Sequence, residues 1–100
     1  MLAEMRGEYA RTLPDRMTMI ESLWREVSAG APRGEELLRA VHSIAGGAAT
    51  FGMPEVGQAA EVLEAALRSA LDSARTGEAL ARLLRVAAAA VSGIPRLPKD

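Results

Sequence analysis

The sequence predicts an all-α fold, an antiparallel up-down-up-down four-helix bundle with a short extra N-terminal helix. The hydrophobic fraction is 49%, and Ala, Leu, Val and Met, which helices tolerate or favour, supply most of it. Only three aromatic residues are present, which is few for a sheet. Gly and Pro divide the chain into segments with helical apolar spacing. Because 100 residues suffice for one domain, we expect the bundle at 1–94 and a tail or linker at 95–100.

The N-terminal region is predicted to form two helices. Leu2 to Arg11 would be the short extra helix, lying against one end of the bundle. Its inner positions would be Leu2, Met5 and Tyr9. Pro14 is placed in the first turn of the first long helix, where its missing N–H costs nothing, and that helix is expected to end at Ser28.

Charge and glycine signals place the two central helices. Glu35 and its neighbour Glu36 suit the positive N-terminal end of the second helix, which should run to about Phe51. Gly52 can take the left-handed conformation that ends this helix. Pro54 then begins the third helix, which is expected to reach about Ser73.

The last helix is predicted from its cap and its end. Thr76 is the expected N-cap, because a threonine hydroxyl can accept a hydrogen bond from a free amide of the first turn. Gly93 and Pro95 would end the helix.

Composition excludes several classes of partner. The 12 basic residues are balanced by 13 acidic ones, so no overall positive field favours nucleic acid. No apolar run is long enough to span a membrane, and the N-terminus lacks the apolar centre of a signal peptide. The chain has no cysteine, and one histidine alone offers too few ligands for a metal site. We therefore expect a cytoplasmic monomer.

His42 is the only histidine, and its helical phase places it outside the buried face. At about 100° per residue, the apolar residues of this helix fall within about 40° of Leu37, while His42 lies about 140° from Leu37. This stripe consists of Leu37, Val41, Ile44, Ala48 and Phe51. The phase therefore predicts an accessible ring at the margin of the core.

Two adjacent glycines, Gly46 and Gly47, follow His42 on the same helix. Each costs roughly 0.8–1.0 kcal/mol relative to alanine in a helix interior, so something must compensate. For Gly46, one turn beyond His42, we favour close approach of a partner's active site. For Gly47, close approach is balanced evenly against two structural alternatives, tight packing of a neighbouring helix or an earlier end of this helix.

The stretch from His42 to Pro54 resembles the phosphorylation motif of histidine phosphotransfer domains. In that motif a glycine follows the histidine at the fourth position, small residues come next, and a helix-ending glycine stands at the tenth. Gly46, Gly47, Ala48 and Gly52 fill these positions. The resemblance extends from about Leu37 to Leu71. One departure is Ala45, where the family commonly has a lysine thought to help hold the phosphate.

The resemblance implies that His42 accepts a phosphoryl group and that the chain is a phosphocarrier without an autonomous catalytic site. The implied partners are a response-regulator receiver domain, a histidine kinase, or both. No cofactor would be bound by this chain, and Mg²⁺ would be supplied at the partner's active site. The close-approach and docking face would consist of Leu38, Arg39, Ala45, Gly46 and Ala49. Arg39 could partly replace the missing lysine as a cation, or it could simply be solvated.

Glu64 is the candidate for orienting the histidine. In the phosphate-accepting domains of chemotaxis kinases, a glutamate on the following helix can hydrogen-bond the acceptor histidine, and Glu64 has a similar spacing. The alternative is that Glu61 and Glu64 belong to an ordinary solvated face.

Two other functions remain open on the sequence. The first is a helical interaction module that binds a receiver without transferring phosphate, with Ala45 as the sign of that loss. The second is a dimerisation or scaffold bundle in which Met17, Trp24 and the Ala-rich last helix pair with another chain.

Overall fold

A computed structural model describes residues 2–69 and 73–93, with side chains placed for 5–69 and 74–93. These residues form four α-helices, which confirms the all-α bundle. Helix α1 spans Leu2–Ser28, α2 spans Gly34–Thr50, α3 spans Pro54–Ser69 and α4 spans Ser73–Ser92. The predicted tail at 95–100 lies outside the described residues.

Neighbouring helices run antiparallel. Tyr9, near the start of α1, stacks on Phe51 at the end of α2, with the ring centroids 5.1 Å apart. In the same way His42 of α2 contacts Glu64, which lies in the second half of α3. Helix α1 also packs on α4, and α4 packs on α3, so the four helices form a ring around one core.

The core is built from the stripe of each helix that its apolar spacing predicts. On α2 the predicted stripe is buried, except that Phe51 is only partly buried against the core. The largest fully buried side chains come from all four helices: Leu13, Ile20, Leu37, Val41, Ile44, Val56, Leu63 and Leu83. Burial of this kind contributes roughly 1.5–3 kcal/mol for each large aliphatic side chain.

The N-terminal region is one helix, so the predicted extra helix and the predicted start at Pro14 are wrong. Pro14 lies inside α1, where it removes one backbone hydrogen bond at a cost of about 3 kcal/mol. The buried stripe crosses it without interruption, with Tyr9 and Leu13 before the proline and Met17 after it. Burial on both sides offsets the lost bond. Met5, an expected inner residue, is exposed instead.

The C-terminal ends of α1 and α2 have the same local structure. Gly30 and Gly52 adopt φ values of 100° and 80°, as expected where a glycine ends a helix. After Gly52, the Met53 N–H donates to the carbonyl oxygen of Ala48, at 2.8 Å. The prediction for Gly52 is confirmed, and the tight reversal leads directly to Pro54 at the start of α3.

The prediction for Thr76 is wrong. Helix α4 begins at Ser73, three residues earlier, and Thr76 is buried within its first turns. A small polar residue four positions before the first large apolar one resembles a cap in sequence, but here Thr76 belongs to the inner face. The end of α4 at Ser92, just before Gly93, is as predicted.

Replacement of Pro14 by alanine tests the continuous α1 helix. Pro14→Ala restores a backbone donor at an exposed position and should raise the free energy of unfolding by up to about 3 kcal/mol. Urea unfolding followed by circular dichroism measures this change. Asp15→Ala, at the adjacent exposed position, is the control and should change stability by less than about 0.5 kcal/mol. A Pro14→Ala variant of unchanged or lower stability would contradict the continuous helix.

Candidate functional site

His42 lies on the exposed part of α2, as its helical phase predicts. Its side chain is 69% exposed to solvent, while Val41 and Ile44 beside it in the chain are buried. The ring is therefore held at the edge of a packed helix and remains open to an approaching molecule.

The Glu64 carboxylate contacts the His42 ring. Glu64 Oε2 lies 2.7 Å from His42 Nδ1, and the Glu64 side chain is only 13% exposed. A carboxylate can only accept, so a neutral His42 in this contact carries its proton on Nδ1. The lone pair is then on Nε2, which has no hydrogen-bond partner among the residues that the structure describes. Of the two alternatives for Glu64, the structure shows the contact with His42.

Arg68, which is not among the predicted site residues, belongs to the same group. Its Nη2 donates to Glu64 Oε2 at 2.9 Å, the same oxygen that contacts the histidine. A sequence signal for this contact exists, because Glu64 and Arg68 are four residues apart and lie on one face of α3. His42, Glu64 and Arg68 thus form a chain of contacts from α2 to α3.

The charge of Glu64 is stabilised in this arrangement. Hydrogen bonds from Arg68, and secondarily from His42, lower the pKa of Glu64 below its ordinary value. Glu64 therefore stays ionised well below neutral pH and can hold the Nδ1 proton of His42 throughout the physiological range.

The two glycines after His42 have different surroundings. A Cβ atom added to Gly46 would meet nothing within 4 Å, whereas one added to Gly47 would lie 2.6 Å from the Tyr9 hydroxyl oxygen. Gly47 is therefore required by the packing of α1 on α2. No internal contact explains Gly46, which is exposed one turn from His42.

Most of the predicted docking residues surround His42 at the surface. Arg39, Gly46 and Ala49 are exposed, and Leu38 is half-buried. Ala45 is 9% exposed and belongs to the core cluster, so it offers little surface to a partner.

The described residues contain no group of three or more His, Cys, Asp or Glu side chains able to hold a metal ion. Within the same residues, no helix has the length and apolar character needed to cross a membrane.

The chain matches a known protein family. The family model described as the Hpt domain matches residues 4–93, nearly the whole chain. The chain belongs to the Hpt domain family. Searches of curated proteins and of solved structures found no significant match.

Membership relates the chain to phosphotransfer in two-component signalling. Hpt domains are phosphocarriers and not catalysts, and they interact with receiver domains and kinases in phosphorelays. The family match covers all four helices and the residues of the His42 group.

Alanine substitutions at the two glycines test their different surroundings. Gly46→Ala should raise the free energy of unfolding by roughly 0.8–1.0 kcal/mol, because alanine favours the helix and meets no neighbour. Gly47→Ala should lower it, because overpacking against Tyr9 costs about 1–3 kcal/mol. Thermal and urea unfolding measure both changes, and each variant is the control for the other. Equal effects at the two positions would contradict this account of Gly47.

Proposed function

We propose that this chain is a phosphocarrier in which His42 Nε2 accepts a phosphoryl group and passes it on. The donor is either the aspartyl phosphate of a receiver domain or a histidine kinase. The acceptor is the aspartate of a receiver domain. The observation that supports this most directly is the contact of His42 Nδ1 with Glu64, on a ring that is 69% exposed. It leaves Nε2 as the nucleophilic nitrogen of an accessible imidazole.

The chemical step is a displacement at phosphorus. The Nε2 lone pair attacks the phosphorus of the aspartyl phosphate, the phosphorus–oxygen bond to the aspartate breaks, and the aspartate carboxylate leaves. The new phosphohistidine keeps its Nδ1 proton in the hydrogen bond to Glu64, whose negative charge faces the positive charge that develops on the ring. Transfer to an acceptor aspartate reverses these events.

Phosphoryl transfer also requires cations around the transferred oxygens, usually Mg²⁺ and a lysine. The described residues contain no carboxylate cluster for a metal, and the position three residues after His42 is occupied by Ala45. We propose that the partner's active site supplies Mg²⁺. This division of labour fits a carrier that has no catalytic site of its own.

The open space at Gly46 suits the approach of such a partner. Because Gly46 is exposed and meets no internal neighbour, its helix-weakening effect has no explanation within the described fold. A partner cleft that descends on α2 to reach Nε2 would use this space. Leu38, Arg39 and Ala49 would form the margin of that docking surface.

Replacement of His42 by glutamine tests the phosphoacceptor. His42→Gln should abolish acid-labile phosphate on the chain after incubation with phosphorylated receiver domains. Its melting temperature should change by no more than about 2 °C, because the exposed side chain makes one surface contact. Radiolabelling and circular dichroism measure the two effects. If wild-type protein acquires no label from any receiver or kinase, the carrier function is wrong and an interaction module remains. If His42→Gln unfolds the chain, the histidine is structural.

Placing a bulky side chain at Gly46 tests the docking surface. Gly46→Leu should fold, since leucine favours helices and the position is open, but it should slow transfer from a receiver by at least tenfold. Ala81→Leu, at an exposed position on α4, is the control and should transfer at the wild-type rate. Rapid-quench kinetics with one phosphorylated receiver provides the measurement. Equal rates for wild type and Gly46→Leu would show that the partner does not approach over Gly46.

A further inference from the structure

The Glu64 carboxylate is shared between two donors from different helices. His42 Nδ1 and Arg68 Nη2 both lie within hydrogen-bond distance of Glu64 Oε2, at 2.7 and 2.9 Å. The Arg68 guanidinium is therefore separated from the imidazole only by one carboxylate oxygen. The Arg68 side chain is 61% exposed, so its guanidinium does not need a carboxylate partner to compensate for burial.

The two donors make different contributions to the balance of charge. Neutral His42 supplies a proton to the hydrogen bond but no net charge, whereas Arg68 carries a full positive charge. Glu64 is 13% exposed, so water compensates its charge poorly. The hydrogen bond from Arg68 also makes the largest contribution to lowering the pKa of Glu64. Glu35, Arg39 and Glu61 are the other charged side chains on this side of α2 and α3, and none of them has a hydrogen bond to His42, Glu64 or Arg68.

Phosphorylation would change this balance. A phosphoryl group carries a charge of about −1.5 to −2 at neutral pH, and on Nε2 it would share a ring with the proton held by Glu64. If no cation balanced its charge, the Glu64 carboxylate on the other side of the ring would repel the phosphoryl oxygens. A cation bound to the carboxylate itself reduces this repulsion without releasing the Nδ1 proton.

We infer that Arg68 is a positioning residue that neutralises Glu64, so that the carboxylate can hold His42 Nδ1 without opposing the phosphoryl group on Nε2. This inference rests on the proposed phosphocarrier function and adds to it the residue that controls how much phosphate His42 retains. Ala45 supplies no cation from α2, and Arg68 supplies one from α3.

Phosphorylation by phosphoramidate tests the inference without a protein partner. In this reaction Nε2 attacks phosphorus, the phosphorus–nitrogen bond of phosphoramidate breaks, and the nitrogen, which is protonated in phosphoramidate at neutral pH, leaves as ammonia. Arg68→Gln should lower the extent of phosphorylation, and shorten the lifetime of the phosphohistidine, by roughly three- to tenfold, the range for one charge pair at a partly exposed site. Phosphorus NMR measures both quantities.

Three further variants separate a charge effect from a structural one. Arg68→Lys keeps the cation and should recover most of the wild-type extent. The double variant Glu64→Gln with Arg68→Gln removes both charges, keeps an amide oxygen for Nδ1, and should retain more phosphate than Arg68→Gln alone. Arg85→Gln, which removes a positive charge on α4, is the control and should behave as wild type.

The outcomes distinguish this inference from the function on which it rests. If wild-type His42 is phosphorylated and Arg68→Gln retains as much phosphate for as long, the role of Arg68 is wrong while the carrier function stands. A double variant worse than Arg68→Gln alone would equally overturn it, because it would show that Arg68 acts by holding the helices. If wild-type protein is not phosphorylated at all, the carrier function fails and the inference fails with it.

Discussion

A Cβ atom on Gly57 would lie 3.2 Å from the Ala45 carbonyl oxygen and 3.4 Å from the Ala49 amide nitrogen. Helices α2 and α3 therefore pack with their backbones close together at this point. From Ala49 back to His42 is seven residues, and from Gly57 forward to Glu64 is also seven. Because the helices run antiparallel and seven residues make about two turns, the close contact at Gly57 brings Glu64 to His42.

The rest of the site depends on this distance between the helices. A glutamate side chain is short, so a wider separation of α2 and α3 would leave Glu64 in solvent and His42 without its hydrogen bond. Arg68 reaches the same carboxylate because it lies one turn further along α3. Packing between small residues in the core thus determines a polar contact at the surface, where the chemistry of the proposed carrier takes place.

The two adjacent glycines of α2, Gly46 and Gly47, have opposite surroundings. Gly47 faces Tyr9, which stacks on Phe51 and fixes α1 against α2. Gly46 faces open space. One glycine thus serves the stability of the bundle, while the other leaves the surface beside the histidine uncovered at some cost to the helix. In the proposed function this cost is the condition for a partner's cleft to reach the ring.

The sequence by itself determined the all-α class, the extent of α2, its buried stripe, its end at Gly52 and the exposure of His42. Each follows from the helical period and from the conformations available to glycine and proline, which are local properties. Only the tertiary structure decided that α1 continues through Pro14, because burial on both sides of the proline offsets the lost hydrogen bond. It also decided which glycine is required for packing and that Glu64 and Arg68 meet at the histidine. These outcomes depend on how helices pack against one another, and the apolar period within a single helix does not determine that packing.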